Sequence, residues 1–168
     1  MFAPVPTAER AIEDYRPIVG NETIEEIRTL AAPLRGARVL HVNATAFGGG
    51  VAELLGTLIP LMRDVGLDAE WQVISGADEF FRVTKAMHNA LQGMFATWGP
   101  SMRDVWLHYN SLNAKQFDEN YDFVVIHDPQ PAGLLPMVTE RRGERPDGRW
   151  IWRCHIDLTN AQPDVWDF

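Results

Sequence analysis

The chain has 168 residues, 46% of them hydrophobic, enough to bury one core and hence one domain. A formal net charge of −8 and a pI near 5.0 argue against a nucleic-acid binder or a protein that docks on anionic membranes. The single cysteine, Cys154, excludes an intrachain disulfide and suits a reducing, cytoplasmic setting.

The opening stretch, MFAPVPTAERAIEDYRP, has no basic segment followed by a long apolar one, so it does not read as a secretory signal. Later apolar runs are broken by charge or glycine well short of the roughly 20 residues needed to cross a bilayer, so no membrane partner is expected. Asn21 reads as a helix cap, with acidic residues in the following turns and Ile24, Ile27, Leu30 and Ala31 on one face. Pro33 and Gly36 end that helix. Residues 37–44, ARVLHVNA, form a buried strand. After Gly48, Gly49 and Gly50, apolar residues from Val51 to Val65 repeat at helical spacing, Gly66 stops the helix, and Pro60 predicts a kink.

A second strand covers 68–75, and a helix over 77–91 carries Phe80, Phe81, Thr84, Met87, His88 and Leu91 on its apolar face. Residues 101–119 make a helix or a helix pair. The clearest buried strand is 121–128, YDFVVIHD, followed by a short helix containing Pro136 and a last strand over 149–157. This alternation from residue 37 onward predicts an α/β domain: a Rossmann-like parallel sheet with helices on both faces. Residues 1–36 are then an N-terminal extension whose helix packs on the domain formed by 37–168.

In such sheets ligands gather at the carboxyl ends of the strands, where strand order reverses. Three strand ends are polar: Asn43 with the glycine loop, His127 to Pro131, and Cys154 to Asp157. The glycines permit close approach of backbone amides, and the next helix turns its positive end toward them, which suits a phosphate. A tight turn with no ligand explains them equally well, because neither a GxGxxG fingerprint nor a P-loop Lys-Ser/Thr is present. That absence also counts against a dehydrogenase-like nucleotide domain. Asp128 reads either as a carboxylate that orients a hydroxyl-rich ligand or as an N-cap or turn aspartate for the following helix. His155 and Asp157, two residues apart, share a face if the strand continues that far. His41, His127 and His155 all fall at strand positions, but their spacing matches no zinc pattern, so no metal is expected. Cys154 reads as a buried thiol and His88 as a partner-bonded or exposed helical residue.

Three stretches in order, VLHVNATAFGGGVAELLGTLIPLMRDVGLDAEWQVISG, VVIHDPQPAGLL and WIWRCHIDLTNAQPDVWDF, closely resemble the N-terminal domain of the trehalose synthases of retaining glycosyltransferase family 4. The related trehalose phosphorylases share that architecture. The resemblance implies one half of a GT-B glycosyltransferase, in which two Rossmann-like domains face each other across a cleft. The implied partners are a nucleotide-glucose donor and a glucose acceptor, with no cofactor. It also implies roles: Gly48, Gly49 and Gly50 facing the donor diphosphate, His155 near the reacting centre of the donor sugar, and Asn43, Asp128, Gln130 and Asp157 along the sugar pocket. A family member needs a second, C-terminal donor-binding domain that this sequence lacks. The chain alone is therefore expected to be inactive, and apolar surface on the face meant for that domain is expected to favour a homo-oligomer. The alternative is a stand-alone sugar- or nucleotide-binding module without catalysis.

Overall fold

A computed structural model describes residues 2–168. Its centre is β2 (Arg38–Asn43), buried from Val39 to Asn43 because its neighbours and both helical layers cover it. It pairs in parallel with β3 (Asp68–Val73) on one side and β4 (Phe123–His127) on the other, and β4 pairs in parallel with β5 (Arg149–Arg153). A two-residue strand, β1 (Ala3–Pro4), adds antiparallel to β3, giving the order β1-β3-β2-β4-β5. So part of the N-terminal extension is sheet, and Pro4, with no N–H, sits on an edge where none is required. The α/β reading with a mainly parallel sheet holds.

The helices are α1 (Arg16–Ala31), α2 (Gly50–Asp64), α3 (Asp78–Leu91), α4 (Pro100–Ala114), α5 (Leu134–Arg142) and the short α6 (Pro163–Trp166). One face of the sheet is closed by α2: Val39, Ala69 and Trp71 pack with Ala52, Leu55 and Ile59. On the other face Leu40, Val42, Val124 and Ile126 pack with Phe80 of α3, Ala114 of α4 and Leu134 and Val138 of α5. A third cluster joins Met87, Ala90 and Leu91 to Trp98 and Val165. No helix among the described residues is long and apolar enough to cross a membrane.

Several sequence expectations change or narrow in detail. Helix α2 continues through Pro60, which is buried, and Ala52, Leu55 and Ile59 pack the helix on the sheet, so packing holds it across the missing N–H. Residues 101–119 hold one helix, α4, started by Pro100. In α1 a break at Gly20 (φ +83°) precedes the regular helix that Asn21 was expected to cap, but the Asn21 side chain accepts a hydrogen bond from Arg16 instead (2.8 Å). Of that helix's expected apolar face only Ile24 and Ala31 are buried, and Leu30 is 66% exposed. Finally, the last strand ends at Arg153 rather than Asp157, for a reason that belongs to the site.

Candidate functional site: a cleft at the strand reversal

From β2 the chain moves outward to β3 and then returns across β2 to β4. The carboxyl ends of β2 and β4 therefore flank the crevice where strand order reverses. A cleft of about 660 Å³ opens there, lined from the first strand end by Asn43 to Thr45 and Gly48 to Ala52. From β4 and β5 come His127, Asp128, Gln130, His155 and Ile156, and from α3 come Phe81, Thr84, Lys85 and His88.

The glycine loop is open ground. A Cβ at Gly48, Gly49 or Gly50 would meet no atom of the described residues within 4 Å, so internal packing does not demand three glycines. Only Gly48 needs to be glycine for its backbone, at φ +76°, whereas Gly49 is extended. The first helical bond of α2 runs from Glu53 N–H to the Gly49 carbonyl (3.1 Å), so the amides of Gly50, Val51 and Ala52 lie in the uncapped first turn. Asn43 shapes this loop from below: its Nδ2 donates to the Thr45 carbonyl (2.7 Å) and its Oδ1 accepts from Trp71 Nε1 (2.7 Å). Both polar atoms of its side chain are thus engaged inside the protein.

Asp128 has φ +63°, a left-handed conformation that aspartate adopts more readily than most residues. Its N–H still donates to the Arg153 carbonyl (2.9 Å), the last rung between β4 and β5. Its carboxylate Oδ1 then accepts the backbone N–H of His155 (2.7 Å), and its carbonyl accepts Trp152 Nε1–H (2.9 Å). A side chain thus takes the N–H that would have extended the ladder, and β5 stops. Asp128 does not cap α5, whose N-cap is Gly133; it fixes where His155 stands. The Pro129–Gln130 turn is tied down by α4, through Trp106 Nε1 to the Pro129 carbonyl (3.1 Å) and Asn110 Nδ2 to the Gln130 carbonyl (3.1 Å).

Because the strand ends early, Asp157 leaves the sheet. It is exposed and outside the cleft, and its Oδ1 accepts from Thr159 Oγ1 (2.6 Å) and Thr159 N–H (2.9 Å). Those bonds, the hydroxyl's first, hold its carboxyl below the usual range. Cys154 likewise lies past the strand and is half-buried, with Sγ 3.7 Å from the Ile156 carbonyl.

The three strand-end histidines meet in a line. His41 Nδ1 lies 2.9 Å from His127 Nε2, and His127 Nδ1 lies 2.8 Å from His155 Nε2. The register explains this. His41 is level with Val125 and His127 with Arg153, and alternation puts His41 and His127 on the same face of the sheet. Each histidine then stands about two residues further toward the strands' carboxyl ends than the one before. The ring planes are within 27° and 20° of parallel and the centroids 5.2 and 5.1 Å apart, so the rings meet edge to edge along the N···N lines. His41 and His127 are buried, and burial drives their pKa values down to about 4 and about 3, helped by Arg153 for His41 and by the two neighbouring histidines for His127. They are neutral at physiological pH. Since His127 spends both ring nitrogens on its neighbours, the three do not converge on a point, and no group among the described residues could hold a metal ion.

The cleft residues on α3 were not among the expected site residues. Phe81, Thr84, Lys85 and His88 fall at i, i+3, i+4 and i+7, a single helical face that mixes charge with ring and hydroxyl groups. That mixture was the available signal, and assigning Phe81, Thr84 and His88 to an apolar core face concealed it.

Residues 41–168 match the family described as the trehalose synthase N-terminal domain. The chain is 48% identical over 161 residues to a trehalose synthase of Thermococcus litoralis, covering 95% of this chain and 38% of that protein. It is 47% identical over 172 residues to the trehalose synthase of Rubrobacter xylanophilus, covering 100% and 40%. A trehalose phosphorylase of Pleurotus sajor-caju is 32% identical over 181 residues, covering 94% and 23%. The chain thus spans well under half the length of the relatives it matches. Among solved structures, a protein described as trehalose-6-phosphate from E. coli bound with UDP-2-fluoro glucose superposes with a TM-score of 0.55 at 17% identity, covering 78% of this chain and 37% of that one. That likeness shows the fold alone, an α/β layered domain of the GT-B type. The chain belongs to the trehalose synthase N-terminal domain family.

Proposed function

We propose that this chain is the acceptor-side half of a retaining glycosyltransferase that makes trehalose from a nucleotide-glucose and glucose. The observation that carries the reading is the convergence, at the strand reversal, of an open glycine loop, His155 and the His127–Gln130 turn in a chain of this family. The greater identity to the synthases than to the phosphorylases, 48% against 32%, favours transfer to glucose over phosphorolysis.

In this reading the first turn of α2 and the Gly48–Gly50 loop leave room for the donor diphosphate and offer it backbone N–H groups. His155 meets the donor sugar near its reacting carbon. Asp128 acts on that contact through the backbone of His155, and Gln130 lines the sugar pocket. Asn43 holds the loop rather than the sugar, and Asp157, outside the cleft, has the weakest claim to a ligand. Retention by front-face attack relies on positioning and on electrostatic support of the leaving group, with the positive charge for the diphosphate supplied by a donor-binding domain. A cleft with one wall does neither, so the chain alone binds weakly and turns nothing over.

Calorimetric titration of the 168-residue chain with glucose, trehalose and a nucleotide-glucose, run beside a turnover assay, tests this. Weak sugar binding without turnover is expected. Turnover by the chain alone would contradict the half-site reading.

A further inference from the structure

The three histidines do more than touch. A neutral imidazole has one N–H and one lone pair. His127 is bonded at both nitrogens, so it donates at one and accepts at the other, and the line as a whole runs in one direction or the reverse. In one direction each Nδ1–H donates to the next Nε2, from His41 through His127 to His155. In the other, each bond is reversed and His41 carries its proton on Nε2.

The buried end decides. His41 Nε2 is buried without a hydrogen-bond partner among the described residues. The reverse direction would strand an N–H donor there, and orphaned buried N–H groups are the rarer fault in folded proteins. The forward direction leaves only an unfilled lone pair. It also sends the last proton to Nδ1 of His155, the ring nitrogen not used in the line, on a residue that lines the cleft.

We infer that His41 and His127 are positioning residues that fix the tautomer of His155, so that it meets its ligand as an Nδ1–H hydrogen-bond donor and not as a base. The ligand chemistry this selects is an acceptor oxygen, such as a sugar hydroxyl oxygen or a phosphate oxygen. The use made of that donor rests on the glycosyl-transfer reading, but the tautomer itself does not. His41 and His127 stay uncharged at neutral pH, as the argument requires, because burial disfavours their cations. Asp128 completes the device by holding the backbone N–H of the same residue (2.7 Å), so main chain and ring of His155 are each fixed by an element of β4 or its exit.

The test uses the unliganded chain labelled with ¹⁵N in its histidines, with long-range proton–nitrogen correlation at neutral pH. His155 is expected as the Nδ1–H tautomer, which free imidazole side chains in water disfavour, with His127 and His41 in the same form. His127→Asn, which keeps a donor near the position of Nδ1, should preserve the His155 pattern, whereas His127→Leu should return His155 to Nε2–H. A backbone amide spectrum checks that each variant folds. His155 as Nε2–H in the unaltered chain would overturn the inference, and so would Nδ1–H persisting in a folded His127→Leu. Should His127→Leu not fold, the unaltered chain decides alone. No sugar or nucleotide is present, so the result is independent of the proposed reaction.

Discussion

The two ends of β2 are both polar, and they are built on opposite principles. At the amino end Arg38 is half-exposed and saturated with partners. Its guanidinium lies 2.5 Å from Glu119, 3.6 Å from Glu70 and 3.9 Å from Asp68, and sits 4.5 Å over the Tyr121 ring. Its backbone N–H donates to Asp122 Oδ2 (2.8 Å). Glu119, first among these groups, raises the Arg38 pKa, and burial with Glu70 beside it raises that of Tyr121. At the carboxyl end His41 and Asn43 are buried, the histidine line ends in an unfilled nitrogen, and the loop above has empty space around its glycines. A polar cluster that satisfies itself in solvent holds the amino ends of the strands together. One with buried polar groups, a left-handed aspartate and open ground in front of it is the end on which the proposed ligand site rests.

The widest separation between the two ends should come from activity. With a donor-binding domain supplied in a longer protein, His155→Ala should lower kcat by about 10²- to 10³-fold, the usual cost of losing a hydrogen bond aimed at developing charge. Arg38→Ala should leave kcat within error. Near-normal turnover of the His155 variant would remove it from the site.

The pH dependence separates the ends next. The folded pKa values of His41 and His127, about 4 and about 3, lie below the ordinary value near 6.5, so between those limits the unfolded chain binds more protons than the folded one. The stability these two neutral histidines carry is complete above about pH 6.5 and is lost as pH falls toward 4 and then 3. From pH 7 to pH 5 the loss is about 2 kcal/mol for each, readable as a lower urea midpoint at unchanged slope. A flat profile across that window would show that the line is not buried and neutral.

Within the glycine loop the comparison sharpens to single residues. Gly48→Ala should cost about 1–2 kcal/mol because alanine is strained at positive φ. Gly49→Val, at an extended position with free space, should leave the melting temperature nearly unchanged while weakening binding of a nucleotide-glucose. Equal binding would reduce the loop to a turn. The smallest effect belongs to the amino end, where Arg38→Ala should cost no more than about 1 kcal/mol, since half-exposed ion pairs are screened and entropically expensive.

Much of the fold was legible because strand and helix periods are local properties. The runs at 37–44, 68–75 and 121–128 yielded β2, β3 and β4 to within two residues at each end. Two errors share a cause, since the end of β5 depends on the Asp128 carboxylate and the passage of α2 through Pro60 depends on packing against the sheet. Neither is written in the neighbouring residues. Gly48 to Gly50, Asp128, Gln130 and His155, expected from their place at strand ends, line the cleft at the strand reversal. The sequence placed His41, His127 and His155 on strands, but only the register of β2, β4 and β5 brings them to within 2.9 Å and in a line. Lys85, which also lines the cleft, lies on the helix after β3 and not at a strand end, so strand ends alone do not point to it.

The most direct test is amide chemical-shift mapping of the ¹⁵N-labelled chain during titration with glucose and then a nucleotide-glucose. The expected result is a set of saturable shifts at Gly48, Gly49, Gly50, Asp128, Gln130 and His155, with Arg38 and Tyr121 silent. Shifts confined to the Arg38–Tyr121 end, or none at the strand reversal at saturating ligand, would contradict the assignment of the cleft as the sugar-binding half-site.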